Sequence, residues 1–249
     1  MKYKIQIAVL LCFLQLFMSC SSDNAPECFK KAGKTISYEV TVPEFTALHI
    51  GLGVEVVVKQ GAERKVVVET GENLKAAITA KVANNELQLN NDTGCNWVRG
   101  YKTTTVYITT PYLDKIYSAS QFSVKSDGVL SYPSLTLQSG LISETASGVF
   151  ELNIDSQNLT IDDNQSAYYI ISGKVENLNI NFYAGDSRFE GADLIAQRIK
   201  VFQRSSNDII ANPQVEVTGK IYSTGNLILK NHPPLVDVEQ LYTGKIIYK

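Results

Sequence analysis

Residues 158–191 read NLTIDDNQSAYYIISGKVENLNINFYAGDSRFEG, and apolar and polar side chains alternate through much of this stretch. Leu159 and Ile161 fall on one side of an extended chain and Thr160 and Asp162 on the other, while Leu178 and Ile180 repeat the pattern against Asn179 and Asn181. Successive side chains of a strand point to opposite faces, so this is the signature of half-buried strands. The residues between the strands are small or turn-prone, among them Ser166, Ala167, Gly173, Ala184 and Gly185. Such residues suit corners, where a long side chain would obstruct the bend.

The same texture extends in both directions, through DKIYSASQFSV (114–124), SLTLQSGLISE (134–144), RIKVFQRSSNDII (198–210) and EVTGKIYSTGNLIL (216–229). Aligned on Ile116, Leu135, Leu159, Leu178 and Ile199, successive units are spaced by 19, 24, 19 and 21 residues. A period near twenty, with two or three short strands per unit, predicts the coils of a β-solenoid with those five side chains inside. A β-sandwich is the competing fold, and the scarcity of two-residue hairpin turns after residue 111 ranks it second. The predicted fold is all-β: a β-rich opening segment at 36–111, followed by a parallel β-helix or solenoid of roughly 20-residue coils at 112–249.

Within the opening segment, Val54, Val56 and Val58 share one face, and RKVVVET (64–70) repeats the pattern after Gly61 and Ala62. Ile78, Ala80 and Val82 alternate again, and Leu87 and Leu89 follow Asn84 and Asn85, which tolerate positive φ. That arrangement predicts a hairpin. A helical turn or two is expected at 73–77, with Asn73 as its cap.

The chain begins with Lys2 and Lys4, an apolar run at 5–18 interrupted by Gln6 and Gln15, and Ser19 before Cys20. A positive start, an apolar stretch of up to about 15 residues and a small residue at the cut form a secretory signal. A spanning helix needs about 20 apolar residues. The string LFMSC (16–20) resembles the lipobox of bacterial lipoproteins, although Phe17 stands where Leu is usual and Met18 where a small residue is usual. The resemblance implies cleavage before Cys20, lipid on its sulfur and a Gram-negative envelope, with Ser21 favouring the outer membrane. Residues 1–19 are then the signal peptide and 20–35 a polar tether.

The whole chain has a formal net charge of −2 and scattered basic residues. A phosphate-binding surface requires clustered Lys and Arg, so no nucleic-acid partner is expected. Cys12 leaves with the signal and Cys20 takes lipid, so Cys28 and Cys95 remain as a pair in an oxidising compartment. A disulfide between them is the simple reading, worth about 4 kcal/mol in the chain-entropy model. The rival is a metal site with His49 and His232, which lack the close spacing of zinc ligands.

The order of blocks resembles the head GIN domain family (putative auto-transporter adhesin). PEFTALHIGLGVEVVVKQG (43–61), VVVETGENL (66–74) and NNELQL (84–89) resemble its opening. SASQFSV (118–124), ASGVFELNI (146–154), ISGKVENLNI (171–180) and YAGDSRFEGADL (183–194) resemble its repeating turns, and VTGKIYSTGNLILKNHPP (217–234) its close. The resemblance implies a β-helix-like fold and export, and no known reaction. The insert with Cys95, Trp97 and Arg99 departs from the family pattern.

Chemistry is sparse. No phosphate loop, dinucleotide fingerprint or zinc motif is present, and no cofactor or metal is expected. Asp162 and Asp163 are adjacent, which sends them to opposite faces, whereas a glycosidase pair converges within about 5–9.5 Å. Asp186, Arg188, Arg204 and Asp208 are placed to meet across coils as a salt-bridge ladder. A calcium site from Asp162, Asp163 and Asp186 lacks the spacing of known loops. Tyr168, Tyr169, Phe182, Tyr183 and Phe202 fall in successive units, either as a ladder that stabilises the coils or as a ligand-facing row. The candidate ligand-facing residues are Tyr168, Tyr169, Tyr183, Trp97 and Arg99. The expected role is an envelope-anchored, non-catalytic, adhesin-like binding or scaffolding lipoprotein with an extended glycan or protein partner. The alternatives are a carbohydrate-active lyase or hydrolase and a purely structural envelope protein.

Cys20→Ala is expected to yield unprocessed or released protein on membrane fractionation, and unchanged membrane retention would rule the lipid anchor out.

Overall fold

In the computed structural model the described residues are 32–93, 104–142 and 148–249. The signal, Cys20, Cys28, Cys95, Trp97 and Arg99 lie outside them. The described chain forms β1 (Thr35–Glu39), β2 (Ala47–Ile50), β3 (Val54–Gln60), β4 (Lys65–Gly71), β5 (Ile78–Ala83), β6 (Glu86–Asn91), β7 (Thr104–Thr110), β8 (Lys115–Ser118) and β9 (Ser123–Leu130). It continues through β10 (Ser134–Ser139), β11 (Val149–Asp163), β12 (Tyr168–Phe182), β13 (Arg188–Gln203), β14 (Ile209–Ile221), β15 (Leu227–Leu229), β16 (Leu235–Gln240) and β17 (Ile246–Tyr248).

The strands wind into a parallel β-solenoid of about six turns. One wall stacks β2, β8, β10, the C-terminal halves of β11, β12, β13 and β14, and then β16, all parallel. The other stacks β3, β9, the N-terminal halves of β11 to β14, β15 and β17. The long strands β11, β12 and β13 contribute to both walls. The coil therefore turns there with little loss of backbone pairing, and a continuous ladder leaves few buried N–H and C=O groups unsatisfied.

Side-chain parity fills the interior. Leu135, Leu159, Leu178, Ile199 and Val217 are neighbours in register, and all are buried. Burying each such side chain stabilises the fold by about 1.5–3 kcal/mol. The opposite wall supplies Val56, Val124, Phe150, Tyr169, Phe189, Ile209 and Leu227 in one column. Ile116 is also inside, but its partner is Leu137 rather than Leu135. A two-residue shift keeps a side chain on the same face, so alternation cannot distinguish the two registers.

As expected, an opening segment with antiparallel pairing precedes the parallel solenoid, and two of its strands also join the parallel ladder. β2 pairs in parallel with both β6 and β8, and β3 with both β7 and β9. The β2–β3 coil is thus sandwiched between a coil that follows it and another that follows later still. Among the described residues, antiparallel pairing is confined to β1–β4, β4–β7 and β5–β6. The expected hairpin is β5–β6, with Asn84 at φ 52° and Asn85 at φ 63°. The expected helical turn is a 3-10 segment, Glu72–Ala77, but Gly71 occupies the cap position and no side chain caps it. Asn73 sits inside the segment, because the cap lies two residues earlier than the Asn signal suggests. Leu74 anchors it in the core.

Leu178→Ala should lower unfolding free energy by about 2–5 kcal/mol in urea titration, while outward Asn179→Ala should stay within about 0.5 kcal/mol.

Candidate functional site

Parity also sorts the aromatic residues into two rows. Tyr169 and Phe182 point inward: Tyr169 stacks on Phe150 at 4.8 Å and 8° and lies 6.0 Å from Phe182. Tyr169 is fully buried, so it cannot face a ligand; the residue beside it, Tyr168, takes the outward position. Tyr168 is half-buried on the second wall beneath the Arg188 guanidinium, 5.9 Å from the ring centroid. The outer row is on the first wall. Tyr183 lies 5.8 Å from Phe202, and Phe202 lies 5.0 Å from Tyr222, with rings tilted by 46° and 45°.

These three residues come from successive coils. Tyr183 follows Phe182 at the end of β12, Phe202 is outward on β13, and Tyr222 follows Ile221 at the end of β14. Tyr183 and Tyr222 are 38% and 39% exposed, enough to offer ring surface to a partner. They line an open groove of about 590 Å³, whose floor and rim add Asn181, Lys200, Thr218, Lys220, Asp237 and Glu239. Asp162 Oδ1 accepts hydrogen bonds from the Tyr183 hydroxyl and from Asn181 Nδ2, both at 3.0 Å. Partial burial, then the Asp162 charge and this hydrogen bond, hold the Tyr183 phenol above its ordinary pKa. Lys220 pairs with Glu239 at 2.8 Å, a contact that also favours its charged form. Tyr222 was not among the sequence candidates. Its signal is the apolar–Tyr pair Ile221–Tyr222, which copies Phe182–Tyr183 two coils further along the stack.

The acids do not assemble as a pair. Asp162 faces outward, whereas Asp163 is fully buried in the interior. Asp163 Oδ1 accepts from the Ser187 hydroxyl and the Gln165 N–H, each at 2.6 Å, and Oδ2 accepts from the Tyr169 hydroxyl at 2.8 Å. Burial pushes the Asp163 carboxyl above its ordinary value of 3.8, against the lowering effect of these donors. Of the expected ladder, Arg188 reaches Asp208 at 3.9 Å and, more closely, Glu190 at 3.0 Å. Asp186 and Arg204 form no ion pair among the described residues. His49 lies 3.6 Å from Glu86, and His232 stacks on Tyr248. Among the described residues no cluster of three or more His, Cys, Asp or Glu is placed to hold a metal, and no helix is long and apolar enough to cross a membrane.

The described residues thus form a parallel β-solenoid with an exposed aromatic groove on one wall. Residues 44–233 match the family described as putative auto-transporter adhesin, head GIN domain, and the chain belongs to that family. The fold is similar to that of a putative adhesin from Bacteroides fragilis, at 19% identity and a TM-score of 0.76 over 87% of this chain and 97% of that one. It is also similar to a putative lipid binding protein from Parabacteroides distasonis, at 14% identity and a TM-score of 0.64 over 87% and 97% of the two chains. A putative adhesin from Parabacteroides merdae shares the fold at 13% identity and a TM-score of 0.56 over 86% and 97%. No curated protein sequence matches the chain.

The raised Asp163 carboxyl has a signed consequence. A carboxyl that binds its proton more tightly when folded destabilises the fold as pH rises from its unfolded value to its folded value, and by a constant amount above that. Relative to Asp163→Asn, the natural protein should therefore lose unfolding free energy as pH rises from 3.8. Urea titrations of both proteins across the acid range measure the difference, and a pH-independent difference would contradict the assignment.

Proposed function

We propose that this chain is an exported, non-catalytic binding protein of the cell envelope that holds an extended glycan along its first wall. The observation that carries this reading is the row Tyr183, Phe202 and Tyr222, open to solvent across three coils. The C–H faces of a sugar ring pack on aromatic faces, and its hydroxyls bond to amides, hydroxyls and carboxylates. Asn181, Thr218 and Asp237 offer those groups beside the rings. An open groove on a repetitive wall suits a polymer, whereas small metabolites favour enclosed cavities.

The family name supports a binding role, and the signal and lipobox-like string at 1–20 support anchoring at Cys20, most simply in the outer membrane. A Cys28–Cys95 disulfide in that compartment would tie the tether to the insert that carries Trp97 and Arg99. The enzyme reading has no converging acid pair behind it: Asp162 is engaged by three side-chain donors on the outer face, and Asp163 is sealed inside.

The test is retention of the intact protein, in mild detergent, on a panel of bacterial and host polysaccharides, with release of reducing or unsaturated ends followed in parallel. Retention without product is expected, and Phe202→Ala and Tyr222→Ala should each weaken it at least about tenfold, or about 1.4 kcal/mol, with unchanged circular dichroism. Released product would overturn the reading in favour of an enzyme, and failure to retain any glycan would favour a protein partner or a structural role.

A further inference from the structure

The charges around the aromatic row are not balanced. Arg198, Lys200, Phe202 and Arg204 alternate along β13 and just past its end, and all are turned outward. Arg198 is held by Glu176 and, at 3.7 Å, by Glu216. Lys220, opposite Phe202 on β14, is held by Glu239. Lys200 and Arg204 are exposed and have no ion-pair partner among the described residues. They stand on either side of the Phe202 ring, each about 6.6 Å from it along the strand. Arg204 also lies between the exposed tyrosines. Its N–H donates to the Phe182 carbonyl at 2.9 Å and the Tyr222 N–H to the Gln203 carbonyl at 2.7 Å, which sets Tyr183, Arg204 and Tyr222 in one column of adjacent coils.

The acids nearby do not cancel these two cations. Asp162 accepts hydrogen bonds from the Tyr183, Asn181 and Gln138 side chains. Asp186, beyond the corner at Gly185, is not paired with Arg204. Asp237 shares a row with Lys200 but is two strands away, across Thr218. That is about 10 Å, a Debye length at ordinary ionic strength.

We propose that the polymer held on this wall is acidic, a uronate-type polysaccharide whose carboxylates meet Lys200 on one side of the Phe202 ring and Arg204 on the other. The inference rests on the glycan reading of the groove and names its chemical class. A chain laid over Tyr183, Phe202 and Tyr222 runs between the two cations. In a 1,4-linked chain of diequatorial sugars each ring turns over relative to the last, so its carboxylates project alternately to the two edges, where the cations stand. The Arg204 guanidinium can grip a carboxylate with two parallel N–H donors, and Lys200 offers a compact charge.

The test sets each acid beside its own neutral form: polymannuronate and polygalacturonate, each with its methyl ester, titrated calorimetrically into the intact protein in mild detergent. At least one acid should bind about tenfold more tightly than its ester, as for two exposed ion pairs, and the difference should shrink as salt is raised. Lys200→Gln with Arg204→Gln should remove that difference and leave ester binding and circular dichroism unchanged, since both side chains are exposed. Phe202→Ala should weaken acid and ester alike. Equal binding of acid and ester, or a preference that survives the double variant, overturns the acidic assignment and leaves the glycan reading standing. If neither form of either polymer binds, the acidic assignment falls, and the wider polysaccharide panel decides the glycan reading on its own.

Discussion

Everything in this fold depends on one constraint: in a stack of parallel strands, each inward side chain sits directly on the equivalent one of the next coil. The column Leu135, Leu159, Leu178, Ile199 and Val217 is its clearest expression. Neighbouring strands are about 4.8 Å apart, so like side chains pack in contact and water is excluded along the whole axis. Stability is then nearly a sum over adjacent coils, which is why the sequence tolerates ladder spacings of 24, 19, 21 and 18 residues. Extra residues are accommodated at corners, outside the columns.

Corners raise a second problem, because there the backbone leaves the ladder while still bordering a dry interior. The solution is a set of buried polar side chains. Ser120 donates to the Val54 carbonyl at 2.7 Å, Ser139 to that of Ser118 at 2.9 Å and Ser205 to that of Ser187 at 2.7 Å. Gln203 Nε2 donates to the Asn207 carbonyl at 2.7 Å, and Asp163 receives the Gln165 N–H. Asp163 and Gln203 share one column with Ser139 and Phe182, so a single inward position alternates between apolar filler and backbone partner. Gly185 meets the same crowding by having no side chain: at φ 81°, a Cβ would lie 1.9 Å from the Gln165 carbonyl oxygen.

The interior thus claims every second residue and the corners claim Ser and Gly, which leaves the outward positions of each wall as the part of the chain free to carry function. The aromatic groove uses such positions, and its rim reaches Asp237 and Glu239 of β16.

The sequence by itself determined the all-β class, the coil period, the inward Leu and Ile residues, the Asn84 and Asn85 hairpin and the division of Asp162 from Asp163, because each follows from local alternation or local turn chemistry. It could not place the β2–β3 coil between β6–β7 and β8–β9, since stacking order depends on contacts between segments distant in the chain. It could not choose Leu137 over Leu135 as the partner of Ile116, because both satisfy the same parity. Nor could it tell Tyr168 from Tyr169: two adjacent tyrosines are equivalent in composition, and only the register of β12 against β11 and β13 turned Tyr169 into core and left Tyr168 outside. The groove shares this origin. Tyr183, Phe202 and Tyr222 are about twenty residues apart in sequence and meet only because the coils stack, so tertiary structure alone made them one surface.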